Sequence, residues 1–281
     1  MEYLMTYGWA ILIIAVVLGA LFQLGVFNAS TFAPRAPPGA CQVLRPNGPN
    51  TASLINLEGV CNGELPQYVG GFNNVGEISI ADFSTFMSNV PLTISGWVLP
   101  QNNPSHHSGY FGVRNGNINF YILQLQNTNN LECRFGTGGV TYYSTEGPPF
   151  VTPGVWNFVA LTYSPTTGYL TCYDDENPTT ITGASGYISN SLQQFGIGWD
   201  GCCNGFNGEL SNIQVYNASL SVAEVNALYQ EGIGGAPIRL QNLVGWWPLN
   251  GNANDYSGNN NNGVPNAVTY TNQWTSGYTP P

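Results

Sequence analysis

The chain reads WNFVALTY at 156–163, SPTTG at 164–168 and YLTCY at 169–173. β-Branched and aromatic residues fill both apolar runs, and a segment containing Pro and Gly separates them. That is the pattern of two antiparallel strands joined by a hairpin loop. Further out, similar short runs recur at Ile78/Ile80, LTISGWV (92–98) and INFYILQLQ (118–126), broken by Gly, Pro and Asn. From about residue 41 onward the chain is a succession of such runs, so the expected fold is all-β, a sandwich or jelly roll. One helix is expected outside the N-terminus. Ser221 and Glu224 match a capping box, Val222, Val225 and Leu228 repeat at helical spacing, and Gly232 can close the end. With 281 residues, one large all-β domain plus an appendage fits the length.

Composition narrows the function. Only 7% of residues are charged, against about 25% in ordinary globular proteins. The five basic residues are all arginines, scattered along the chain, and the net charge is −10. No basic face exists to neutralise phosphates, so nucleic acid is excluded as a partner. Solubility rests on Asn, Ser, Thr, Gln and Gly. These keep their hydrogen bonding in acid while carboxylates lose their charge, so the surface suits an acidic medium as well as a glycan-coated one.

Six cysteines, Cys41, Cys61, Cys133, Cys172, Cys202 and Cys203, show no Cys-x-x-Cys spacing, and the only histidines are the adjacent His106 and His107. Disulfides in an oxidising, extracellular compartment are therefore expected, and a zinc site is not. Cys133 and Cys172 both lie in strand-like runs and form the first expected pair. Cys41 with Cys61 is the second. Cys202 and Cys203 either bridge each other or pair elsewhere.

Residues 8–27, GWAILIIAVVLGALFQLGVF, contain Gln23 as their one strongly polar member. Such a helix is about 30 Å long, the thickness of a bilayer core. A secretory signal would carry a shorter apolar run behind a basic leader, yet Glu2 stands where that charge belongs and the positive-inside signal is missing. The expectation is that a basic leader has been removed or left out ahead of Met1. The stretch MEYLMTYGWAILIIAVV (1–17) resembles the start of archaeal type IV pilin-like proteins with a class III signal peptide. The resemblance covers residues 1–27. It implies a long helix that resides in the membrane before assembly and afterwards joins copies of itself in a filament core, with Glu2 offsetting an N-terminal amine. The alternative is a single-span anchor that never polymerises, against which Glu2 argues, since a carboxylate beside a span is costly unless paired. A Pro-rich linker, 28–40, follows as a semi-rigid spacer. Asn28-Ala29-Ser30 and Asn217-Ala218-Ser219 are glycosylation sequons.

The segment 41–281 carries a second resemblance. LTISGWVLP (92–100), WNFVALTYSPTTGYLTCYDDENP (156–178) and FNGELSNIQVYNASLSVAEVNALYQ (206–230), in that order, resemble laminin-G-like, concanavalin A-like jelly rolls across most of 65–232. This implies two antiparallel sheets, an extracellular location and glycan or protein recognition. LVGWWPLNGNANDYSGNNNNGV (243–264) resembles the opening strand of that family, although it comes last here. Strand 243–249 is expected to complete a sheet of its own domain by permutation, or else to be donated to an adjacent subunit. Members of the family often hold Ca²⁺ with Asp and Asn oxygens. Here Asn73 and Ser211 stand where acidic residues are common, and Asp200 and Asp255 are the candidates left, with Asx turns as the plainer explanation. No cofactor is expected, with Ca²⁺ the one to test.

Glucanases of this architecture need an alternating carboxylate pair on one strand. Asp174, Asp175 and Glu176 are consecutive, so alternate side chains face opposite ways. With no Ser-His-Asp set and no phosphate loop, no catalysis is expected. For sugars the useful parts are flat aromatics beside amides. Trp199, Asp200, Asn204 and Asn207 gather in WDGCCNGFN (199–207), and Tyr142 and Tyr143 form a second aromatic pair. The expected function is adhesion or surface recognition by a pilus-like subunit bearing a lectin-like domain, the alternative being a membrane-anchored glycan-binding protein.

Overall fold

The computed structural model describes residues 13, 14, 16, 17, 41–48, 51–57, 65–81, 90–115, 118–137, 140–144, 150–187, 194–199 and 205–281. They fall into two units, one of 1–42 and 55–60, the other of 43–54 and 61–281. In the first, Ile13, Ile14, Val16 and Val17 are helical and exposed. Glu2, Asn28 and the rest of 1–40 lie outside the described residues, as do Cys61, Asp200, Cys202, Cys203 and Asn204. Among the described residues no helix is long and apolar enough to cross a membrane.

In chain order the strands are β1 (Cys41–Gly48), β2 (Thr51–Leu57), β3 (Val69–Asn73), β4 (Glu77–Ile80), β5 (Leu92–Pro100), β6 (Ser108–Asn115), β7 (Ile118–Gln124), β8 (Leu131–Thr137) and β9 (Val140–Ser144). Then come β10 (Asn157–Ser164), β11 (Tyr169–Asp174), β12 (Asn177–Ile181), β13 (Phe195–Ile197) and β14 (Asn207–Tyr216). Helix α1 (Val222–Gln230) precedes β15 (Leu243–Trp247), β16 (Val264–Asn266) and β17 (Thr269–Thr271). β1 and β2 pair in a two-stranded sheet. The remainder form two antiparallel sheets, β16-β4-β13-β6-β7-β8-β9 and β12-β11-β10-β5-β14-β3-β17, with β15 also on β14.

The near-continuous apolar run at 157–163 has a physical cause. Successive strand residues face opposite sides, and β10 is covered on both. Val159, Leu161 and Tyr163 enter the core between the sheets with Ile94, Phe120, Ile122, Phe135 and Leu170. Phe158 and Ala160 face the other way, into a second cluster with Trp97, Trp156 and Tyr173, roofed by Val225 and Leu228 of α1 and by Trp274 of the tail. A strand buried on both faces loses its polar alternation. Helix α1 forms where its caps predict: Glu224 N donates to Ser221 Oγ at 3.4 Å, and Ser221 N donates to Glu224 Oε2 at 2.8 Å. Gly232 closes the end at φ 79°, while Val222, the first of the three periodic residues, is exposed.

The Cys133–Cys172 disulfide forms as the strand reading expects, with Cα atoms 5.8 Å apart. It joins β8 in one sheet to β11 in the other through the buried core.

The tail belongs to both sheets. One edge of β14 pairs with β5; the other is shared in series by β3 (Leu210↔Gly70) and β15 (Ile213↔Trp247). Asn212 sits at the junction at φ 54°, a left-handed conformation that Asn tolerates. Its Nδ2 donates to Gly235 O at 2.9 Å, and its Oδ1 accepts from Trp246 Nε1 at 2.8 Å. β16 pairs with β4 and β17 with β3 in the same chain.

Candidate functional site

At one end of the sandwich, the turn after β3, the loop after β5 and the approach to β14 enclose a cleft of about 280 Å³. Its walls carry Asn74, Asn102, Asn103, Ser105, His106 and Asn207, and Phe206 and Gln124 also line it. The base is built from the core outward. Phe206 is buried against Phe72 (6.1 Å between centroids) and edge-on to Tyr110 (5.1 Å). The Tyr110 hydroxyl donates to Gln124 Oε1 at 3.0 Å, and burial pushes that phenol well above its ordinary pKa. Gln124 Nε2 in turn donates to Thr128 O (2.8 Å) and Asn103 Oδ1 (3.2 Å). Gln124 is thus fully engaged, and its part is to position Asn103.

Backbone bonds hold the walls. Asn74 N donates to Phe206 O at 2.8 Å and Gly205 N to Asn74 O at 3.2 Å, while Phe206 N donates to Gly198 O at 2.9 Å. Asn74 is left-handed at φ 67°. A Cβ on Gly205 would sit 2.5 Å from Asn74 O, so only glycine permits this approach.

Beyond Asn74 and Gly205 a second, more open compartment of about 320 Å³ begins, lined also by Trp199, Val75, Glu77 and Asn266. Trp199 is half-buried and Val75 is 68% exposed. Of the binding residues expected from sequence, Trp199 and Asn207 therefore stand on adjoining compartments. Tyr142 and Tyr143 lie on β9, the edge strand of the seven-stranded sheet farthest from β4 and β16. Sequence reasoning missed Asn74, Asn102, Asn103 and Gln124. The Asn pairs at 73–74 and 102–103, at or just past the ends of β3 and β5, were the available signal.

Asn217 of the second sequon is half-buried, with Asn242 Nδ2 donating to its Oδ1 at 2.9 Å. Asp174 and Asp175 tie down the hairpin: Phe150 N donates to Asp174 Oδ2 (2.7 Å) and Phe158 N to Asp175 Oδ1 (2.9 Å). Among the described residues no three His, Cys, Asp or Glu side chains gather as a metal site. Of the calcium candidates, Asp200 lies outside the described residues and Asp255 has both oxygens engaged by Trp246 N, Ser257 and Asn261 N, while Ser211, which stands where an acidic residue is common, donates its Oγ–H to Pro248 O. Asp255 and Ser211 do not present a vacant oxygen cage.

No curated protein matches the chain in sequence. Among solved structures, a heptameric SAP-like pentraxin from Limulus polyphemus superposes with a TM-score of 0.54 at 15% identity, over 74% of this chain and 96% of that one. A proposed carbohydrate-binding protein from Bacteroides ovatus gives a TM-score of 0.56 at 18% identity, over 73% of this chain and 60% of the other. At such identities the likeness shows the shared fold. The family model described as the concanavalin A-like lectin/glucanases superfamily matches residues 72–226, from the end of β3 into α1. That span takes in more than half of the sequence, including the hairpin, the disulfide and the cleft. The chain belongs to the concanavalin A-like lectin/glucanases superfamily.

Proposed function

We propose that this protein recognises glycans outside the cell, by binding and without catalysis, through the amide-lined cleft and the adjoining Trp199. The observation that carries the reading is this cleft, seated on a buried aromatic base and walled by asparagines, in a family of lectins and glucanases. Glycoside hydrolysis needs two facing carboxyl groups. Among the described residues lining the two compartments, Glu77 is the one carboxylate. The buried disulfide supports an oxidising, extracellular setting.

The finer reading is that the domain is displayed on a type IV pilus-like filament, assembled from copies of this chain through residues 1–27, with Glu2 neutralising an N-terminal amine. It is supported by the pilin-like sequence MEYLMTYGWAILIIAVV. A single-span anchor would present the same domain without a filament. Electron microscopy of the cell surface separates the two, since filaments labelled by antibody to the sandwich are expected only under the first. For recognition itself the test is a glycan array probed with the purified protein. Binding that Trp199→Ala weakens, with the far-UV spectrum unchanged, is the expected result. A folded protein that binds no glycan would sink the proposal.

A further inference from the structure

We infer that the cleft selects an uncharged oligosaccharide over an anionic one, with one sugar ring against Trp199 and the next among the amides of Asn102, Asn103 and Asn207. The inference rests on the glycan-binding reading above and adds the ligand's charge and its minimum length.

The charge follows from the walls. An acidic sugar brings a carboxylate or sulfate, for which Arg supplies the matching paired donors. The chain has no lysine and five arginines, and neither Arg134 nor Arg239, the two whose side chains are described, lines either compartment. Arg134 is held by Glu132 at 2.8 Å and Arg239 by Glu224 at 3.4 Å. Among the described residues the ionisable groups at the walls are His106 and Glu77, and Glu77, on the Trp199 side, would repel an anion. What the cleft offers instead are amides, each both donor and acceptor, as a sugar hydroxyl is. Within the described residues the side chains of Asn74 and Asn102 make no hydrogen bond. Asn103 has its Oδ1 held by Gln124 and its Nδ2 free. Asn207 has its Nδ2 held by Gln101 at 3.3 Å and its Oδ1 free. One free donor and one free acceptor are thus fixed in place before any ligand arrives, which lowers the ordering cost of binding.

The length follows from the two compartments. At about 280 and 320 Å³, each lies near ~300 Å³, the lower end of small-molecule sites. They meet at Asn74 and Gly205, a saddle fixed by backbone hydrogen bonds. The stacking surface lies on one side and the free amides on the other, so a single ring engages half of the recognition elements. A ligand crossing the saddle engages both.

The test has two stages on the full chain. An array carrying neutral glycans with their sialylated and sulfated counterparts is probed first. Calorimetry then compares the tightest neutral oligosaccharide with its constituent monosaccharides, in wild type, Trp199→Ala, Trp199→Phe and Asn102→Ala. Neutral glycans are expected to lead, with affinity insensitive to salt and rising at least about tenfold from monosaccharide to oligosaccharide. Trp199→Ala should erase that gain, Trp199→Phe should keep part of it, and the exposed Asn102→Ala should weaken the oligosaccharide. Tighter binding of the anionic counterpart, or a monosaccharide that binds as well as the oligosaccharide, would overturn the inference and leave glycan recognition standing. An array without hits overturns both.

Discussion

Replacing both members of the inter-sheet disulfide, as Cys133→Ala/Cys172→Ala, tests how the sandwich is held together. The two cysteines are 39 residues apart in sequence. Closing a loop of that length removes about 13 cal/mol/K of entropy from the unfolded chain, about 4 kcal/mol at 25 °C. Both side chains are at most 1% exposed, so alanine also leaves a small void, which adds to the loss. Small domains retain about 5–15 kcal/mol in total, so the variant should fold with little margin. The assay is guanidinium unfolding of wild type and variant, followed by fluorescence and circular dichroism. The midpoint should fall, and the m-value should rise as the unfolded chain, freed of its cross-link, exposes more surface. Binding by the folded fraction should not change, because the cleft is built from other segments. A stability difference below about 1 kcal/mol would refute the loop-entropy reasoning, and would mean that the unfolded chain is already restricted.

Ending the chain at residue 242 should leave it unable to fold, because half of one β14 edge, the β3 and β4 edges and the Trp97–Trp156 face lose their cover; a soluble fragment with a cooperative transition would contradict this. Phe206→Ala should cost about 3–5 kcal/mol, read from denaturant unfolding, and should weaken glycan binding by loosening the base of the cleft. Ser221→Ala removes the α1 cap and should cost about 1 kcal/mol, seen as a modest fall in Tm. Acid should not destabilise the domain between pH 7 and about 5. Burial pushes the carboxyls of Asp175, Glu209 and Glu231 above their ordinary values. Their contribution is complete below the unfolded carboxylate pKa of about 4 and is lost as pH rises through the folded values. Glu224 behaves oppositely: some burial opposes it, but the Ser221 hydrogen bonds and Arg239 hold it low, so its contribution fades only as pH falls through its depressed folded pKa. A Tm that drops between pH 7 and pH 5 would refute this account.

The elements legible in the sequence were those set by local chemistry. The 156–173 hairpin declared itself by β-rich runs around SPTTG, the disulfide by two cysteines in strand-like runs, and α1 by Ser221 and Glu224. The cleft was legible only in part. Trp199 and Asn207 were found because an aromatic and an amide stood close in one loop. Asn74, Asn102, Asn103 and Gln124 come from three distant segments and carry no periodicity, so only the tertiary fold brings them together. Gln124 also sits in an apolar run, where nothing local says that a buried tyrosine will anchor it. The series pairing of β3 and β15 along one β14 edge was equally hidden, since it depends on a left-handed turn at Asn212 and the carbonyls that satisfy it.

The pairing of β17 with β3 joins Thr271 to Val69 and so sets the order of events when this protein is made. The seam between β3 and β17 cannot close until residue 271 has emerged, and contacts so distant along the chain form slowly. A growing chain therefore carries an unfinished sandwich, and its β3 and β4 edges stay open until residues 264–271 arrive to cover them.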